Sequence, residues 1–171
     1  ITHYQLPITN YQLSITHYQL PMTFFQFEAD FVDTLRCIPM QVRLKLDTCG
    51  VKLKLSHWHQ LDDYERKTLV EMPCNTTQES QGYSEYLQGL IVEKTGHKAG
   101  ELEIDPHPAW TNDQEIPPTT ENKAAECGVT IGVEQWKNLT PLQRFALIKL
   151  SRPSHENKNF YPALKEFGLI N

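Results

Sequence analysis

Residues 38–55 read IPMQVRLKLDTCGVKLKL, and residues 116–133 read IPPTTENKAAECGVTIGV. Laid over each other, Ile38-Pro39 meets Ile116-Pro117 and Cys49-Gly50-Val51 meets Cys127-Gly128-Val129, at an offset of 78 positions with no gap. The same offset pairs Lys45 with Lys123, Trp58 with Trp136, Leu61 with Leu139, Arg66 with Arg144, Leu69 with Leu147 and Tyr83 with Tyr161. Apolar character keeps the register where the letters change, as in Leu53 with Ile131, Leu55 with Val133, Val70 with Ile148 and Met72 with Leu150. A recurring unit of this size cannot bury its apolar face alone, so the two copies are expected to share one core.

Each unit opens with a helix. Pro39 suits a first turn, Ile38, Val42, Leu46 and Cys49 recur at helical spacing, and Gly50 supplies the left-handed stop, as Gly128 does in the second copy. The alternation of Val51, Leu53 and Leu55, and of Val129, Ile131 and Val133, predicts short extended segments with one buried face that can pair as a ribbon. A capping box then starts the next helix, Asp62 with Glu65 and Thr140 with Gln143, with Pro141 at the first helical position. Different letters thus perform one physical task, which speaks for duplication more strongly than identity does. A last amphipathic helix carries Tyr83, Leu87, Leu90 and Ile91 in the first half, and Phe160, Leu164 and Phe167 in the second. Ahead of the units, Phe24, Phe27, Phe31 and Leu35 form a helical stripe.

The expected architecture is mainly α, with two tandem helical repeats packed as one domain and a small two-stranded β ribbon between them. Its divisions are an N-terminal helix and first repeat over residues 22–95, a linker over 96–115, and a second repeat over 116–171. The linker reading rests on Pro106 and Pro108 among polar residues, with Trp110 pinned down and Pro117-Pro118 following.

Residues 1–21 stand apart. ITHYQLP, ITNYQLS and ITHYQLP are three near-identical sevens without Lys, Arg, Asp or Glu. Thr, Tyr and Pro defeat a coiled coil, and polar residues interrupt any signal-peptide core. The codons ATT ACC AAT TAC CAA TTA CCA, a seven-base repeat, encode ITNYQLP. The segment is therefore expected to be translated repetitive DNA ahead of a start at Met22, and disordered.

Sixteen Lys and Arg against twenty-one Asp and Glu give a net charge of −5, spread without long blocks, which disfavours nucleic acid and anionic lipid as partners. No stretch approaches the roughly 20 apolar residues of a membrane span. Cys37, Cys49, Cys74 and Cys127 lack CxxC spacing and follow no secretory leader, so reduced thiols in a cytoplasm are expected.

The motifs for P-loops, dinucleotide folds, zinc proteases, α/β-hydrolases and iron–sulfur centres are all missing, and no cofactor is expected. His57-x-His59, with Cys49 and Cys74 nearby in sequence, is the closest approach to a metal site and carries the alternative of a metal-binding or metal-delivery protein. Its second-copy counterparts, Gln135 and Lys137, are not histidines. Carboxylates such as Asp62, Asp63 and Glu101 to Asp105 leave a third reading, an enzyme with acid/base groups between the repeats, without supporting spacing. Trp58 and Trp136 read as core plugs, and Arg66 and Arg144 as braces for loop carbonyls. Residues needed to build the unit should recur, whereas special roles should sit where the copies differ. Arg36, Arg43 and Asp47 correspond to Gln114, Glu121 and Ala125, so this unmatched charge pattern is the candidate partner surface.

The run FFQFEADFVDTLRCIPMQVRLKLDTCGVKLKLSHW, Phe24 to Trp58, resembles the opening of the nitrate-reductase-associated protein family of cyanobacteria through FEADFV, LRCIPM, VRLKLD and CGVKL in order. The likeness continues more loosely through the Arg66 helix, Pro73-Cys74 and the second unit. It implies a small cytoplasmic, non-enzymatic accessory protein acting with assimilatory nitrate reductase, in assembly, stabilisation or electron-donor docking. It carries over no catalytic or ligand residue.

Overall fold

The computed structural model describes residues 24–29 and 35–171. Residues 1–21, expected to be disordered, lie outside that range. Among the described residues there are eight α-helices and one two-stranded sheet. In chain order they run α1 (Met40–Cys49), β1 (Val51–Lys52), α2 (Leu55–Gln60), α3 (Asp63–Glu71), α4 (Thr77–Thr95), β2 (Gly100–Glu101), α5 (Pro118–Glu126), α6 (Val133–Asn138), α7 (Pro141–Leu150) and α8 (Phe160–Glu166). Short 3-10 turns lie at Gln26–Glu28, Ala109–Thr111 and His155–Asn159.

Two apolar clusters divide the chain, and α1 belongs to both. Val42, Leu46 and Cys49 share one face at i, i+4 and i+7 and join Trp58, Leu69, Tyr83, Leu87 and Ile91. Met40 and Leu44, on the opposite face, join Trp136, Phe145, Leu147, Phe160 and Leu164. Helix α7 is buried along most of its length, from Arg144 to Ile148 and again at Leu150, and α1 packs on it as well as on α4.

The helix ends follow the local chemistry. Asp62 Oδ1 accepts from the Glu65 amide at 2.8 Å while Glu65 Oε2 accepts from the Asp62 amide at 2.8 Å, and Thr140 with Gln143 repeats the reciprocal pair. A third box, Thr76 with Glu79, opens α4. The N-cap of α1 is Pro39, which has no side-chain acceptor to offer, and Glu28 supplies it from outside the helix. Its Oε1 accepts from the Met40 amide at 2.6 Å and its Oε2 from the Phe25 amide at 3.2 Å. Burial leaves Glu28 only 4% exposed and pushes its carboxyl above the usual range, against these two amide bonds.

The ribbon exists, but its second strand differs from the one expected. Val51 and Lys52 pair antiparallel with Glu101 and Gly100, residues assigned above to the linker. Leu55 and Val133 instead begin α2 and α6, because burial of Trp58 and Trp136 favours a helical turn over continued alternation. The segment 96–115 is correspondingly more than a connection. It gives β2, it stacks Trp110 edge-on against Phe145 at 5.1 Å, and its Asn112 carbonyl accepts the Trp136 indole N–H at 3.0 Å.

The N-terminal stripe is also different where it is described: Gln26–Glu28 is a single 3-10 turn, the buried ring is Phe25, and Leu35 lies in a turn with φ 46°. Phe31 falls outside the described residues.

Gly50 has φ 75°, and an added Cβ would stand 2.8 Å from Ile104 Cγ1 and 2.9 Å from the Leu102 carbonyl oxygen. Gly128 has φ 72° with no atom within 4 Å of that position. Gly128→Ala should therefore cost only the left-handed conformation, about 1–2 kcal/mol. Gly50→Ala adds a backbone clash and should cost roughly 3 kcal/mol or more. Urea denaturation midpoints of the two variants would show the difference.

Candidate functional site

The unmatched charges of the first unit lie largely at the contact between the halves. Arg43 and Asp47 fall at i+3 and i+7 from Met40, on the face of α1 that meets the second half. Asp47 Oδ2 lies 2.6 Å from Lys149 Nζ on α7, and Arg43 Nη1 lies 2.8 Å from Glu156 Oε2. Lys149 also stands over the Phe145 ring at 5.2 Å. Burial lowers its pKa; the hydrogen bond and charge of Asp47 raise it, while Arg152 and Arg43 reinforce the lowering. Three cations and two carboxylates thus interleave along this seam.

The counterpart helix α5 buries only Thr120 and Ala124 and leaves Glu121 and Ala125 exposed. It is not sandwiched between two cores as α1 is, so it has no need for the same charges. Arg36 stands apart from this seam. It is exposed in the loop before α1, and its carbonyl accepts from His59 Nε2 at 2.8 Å.

On the opposite face of α1, Lys45 is drawn inward. Its Nζ donates to the carbonyls of Val70 and Met72, both at 2.6 Å, and approaches that of Leu69 at 3.4 Å. These carbonyls end α3, where the intrahelical ladder leaves acceptors unpaired and the helix dipole is negative. The Tyr83 ring lies under the ammonium at 5.6 Å, and the Tyr83 hydroxyl donates to the Leu69 carbonyl at 2.9 Å. Burial pulls the Lys45 pKa down to about 8, with Cys74 acting in the opposite direction. Burial likewise pushes the Cys49 thiol up to about 11 and raises the pKa of the Cys74 thiol and of the Tyr83 hydroxyl. Raised thiol pKa values make poor nucleophiles and weak metal ligands at neutral pH. Lys123, the second-copy equivalent, pairs instead with exposed Glu126 at 2.8 Å.

His57 and His59 do not converge. His57 Nδ1 accepts from the Lys54 amide at 3.4 Å at the start of α2, while His59 is spent on Arg36. Among the described residues, no three His, Cys, Asp or Glu side chains come together as a metal would require. All four cysteines are free thiols.

Trp58 and Trp136 are fully buried, and each indole N–H donates to a preceding loop, Trp58 to the Leu35 carbonyl at 2.6 Å and Trp136 to that of Asn112 at 3.0 Å. Arg66 and Arg144 then bind the carbonyls around them. Arg66 donates to Trp58 and His59, and Arg144 donates to Trp110, Trp136 and Leu139. These recurring residues build the scaffold.

A family model described as conserved nitrate reductase-associated protein matches residues 24–167. The chain belongs to this family. No curated protein and no solved structure matches it. In this nitrate reductase-associated chain, the matched span begins at the turn that carries Glu28 and ends at the C-cap of α8. It therefore includes the seam and both apolar clusters except Leu169 and Ile170. Among the described residues, no helix is long and apolar enough to cross a membrane.

Lys45 and Glu28 escaped the sequence reading. Lys45 recurs as Lys123 and so reads as scaffold, although only Lys45 is turned onto backbone carbonyls of another helix. Its one signal is position, since Val42, Lys45 and Cys49 are on one helical face. Glu28 carries none, because its partner Met40 is brought to it by tertiary packing.

Lys45→Met should keep the packing but strand the last carbonyls of α3, with a loss of about 2 kcal/mol. Between pH 8 and the ordinary lysine value of 10.5, the unfolded chain holds a proton on Lys45 that the folded one has released. Folding stability from this group therefore rises with pH across that window. The wild-type advantage over Lys45→Met should grow from pH 8 to 10.5, as measured by denaturant titration at each pH.

Proposed function

We propose that the protein is a non-enzymatic accessory to assimilatory nitrate reductase, acting in the cytoplasm of a nitrate-assimilating cyanobacterium in assembly, stabilisation or electron-donor docking. Family membership over residues 24–167 is the observation that carries this reading. The chemistry of the buried polar groups agrees with it. Glu28, Lys45 and Arg144 bind backbone groups, and Lys149 pairs with Asp47, in positions that hold helices together. In this reading the protein is two copies of one helical unit, joined through residues 96–115, that offers a surface rather than a reaction centre.

The docking surface proposed is the one around Arg36, Arg43 and Asp47. Arg36 is the exposed member, in the loop before α1, and Arg43 and Asp47 lie on α1 itself, paired to Glu156 and Lys149. Tagged protein captured from nitrate-grown cells under mild conditions should recover nitrate reductase, identified by mass spectrometry. Arg36→Glu should reduce that recovery several-fold while leaving thermal stability within about 0.5 kcal/mol of wild type. Repeated capture without the reductase would overturn the proposal.

A further inference from the structure

The segment Phe24–Ala29 is held on the second half of the chain like a bound peptide. Glu166, at the end of α8, offers both carboxylate oxygens to its backbone: Oε1 accepts from the Gln26 amide at 2.8 Å and Oε2 from the Phe27 amide at 3.3 Å. Phe25 is 5% exposed and meets Phe167 edge-on at 5.0 Å, and Phe27 stacks on Phe25 at 5.2 Å and meets Phe167 at 6.3 Å. Recognition thus consists of one carboxylate gripping two consecutive amides, plus an aromatic seat for two rings spaced one residue apart. Neither element depends on the segment being covalently part of this chain. The seat also continues beyond its occupant, into a groove of about 510 Å³ lined by Gln26, Phe27, Tyr161, Pro162, Lys165 and Glu166. Tyr161 is 44% exposed there, with Lys165 Nζ over its ring at 5.2 Å.

We propose that this end of α8 is a peptide-docking site for a partner segment bearing an aromatic-x-aromatic pattern, and that Phe24–Ala29 is its resident competitor in cis. The partner's first ring takes the place of Phe25, its next two amides bind Glu166, and its following residues run into the groove past Tyr161. The displaced segment carries Glu28 away with it, so the Met40 amide loses its acceptor and docking is read at the base of α1. This inference does not depend on which protein supplies the segment.

The test uses full-length protein with Phe25→Ala, which takes the buried ring out of the seat and weakens the hold of the resident segment, and a fluorescent peptide FFQFEA, the sequence of residues 24–29. Saturable binding at least tenfold tighter than to wild type is expected, measured by fluorescence anisotropy. Adding Glu166→Ala should weaken it at least tenfold, and the peptide FAQFEA should not bind. Circular dichroism checks the fold of each variant, and Phe27→Ala replaces Phe25→Ala if the latter does not fold. Absence of binding to a folded variant, equal binding to wild type, or indifference to Glu166→Ala would each overturn the proposal. Sedimentation of the wild type should show a monomer at all concentrations. A dimer that exchanges this segment between copies would make a second copy the occupant, and the partner proposal would fail.

Discussion

Helix α1 is ten residues long and has to serve two cores at once. Val42, Leu46 and Cys49 face one cluster, and Met40 and Leu44 face the other, so little of the helix is left for solvent. Its polar residues are consequently placed by necessity. Lys45 projects into the first cluster and must find carbonyls, whereas Arg43 and Asp47 project toward the second and must find opposite charges. These three do, and the cost of desolvating them is offset because each has a partner within hydrogen-bond reach, whereas the buried Gln41 Nε2 has none among the described residues. Removing Asp47 would leave the largely shielded Lys149 unmatched, which costs more than losing both, whereas Arg43 and Glu156 keep more contact with water.

The same logic governs the ends of the helices around it. Where the terminal residue can cap itself, a reciprocal box appears, as at Asp62, Thr76 and Thr140. Where proline precludes this at α1, a carboxylate from twelve positions earlier takes over. Where α3 ends without a glycine, an ammonium from another helix receives its carbonyls. Long-range polar contacts therefore substitute for local ones at the places where the chain cannot provide its own.

Local chemistry was legible in the letters. Gly50, Asp62 with Glu65 and Thr140 with Gln143 act through neighbours in sequence, and the structure has them as expected, whereas Pro39, expected in the first turn, stands one position earlier as the N-cap. The apolar spacing of Tyr83, Leu87 and Ile91 also reports its burial directly. What could not be read is pairing at a distance. Val51 finds Glu101 rather than Val129, because a two-residue ladder leaves too weak an alternation to specify its mate. The helix wheel shows where Arg43 and Asp47 point but not that Glu156 and Lys149 meet them there. Even the resemblance to the nitrate reductase-associated family, now matched over residues 24–167, says nothing of these contacts.

The two tryptophan tethers set lengths. Each indole reaches back to a carbonyl 23 or 24 residues earlier, from Trp58 to Leu35 and from Trp136 to Asn112. The chain between is a closed loop, pinned at its base by a bond shielded from water. Within such a loop an added or deleted residue cannot be absorbed at the pin, and has to be taken up by the turns on the way round. Change in chain length should consequently be tolerated outside these two loops far more readily than within them, whatever the residues involved.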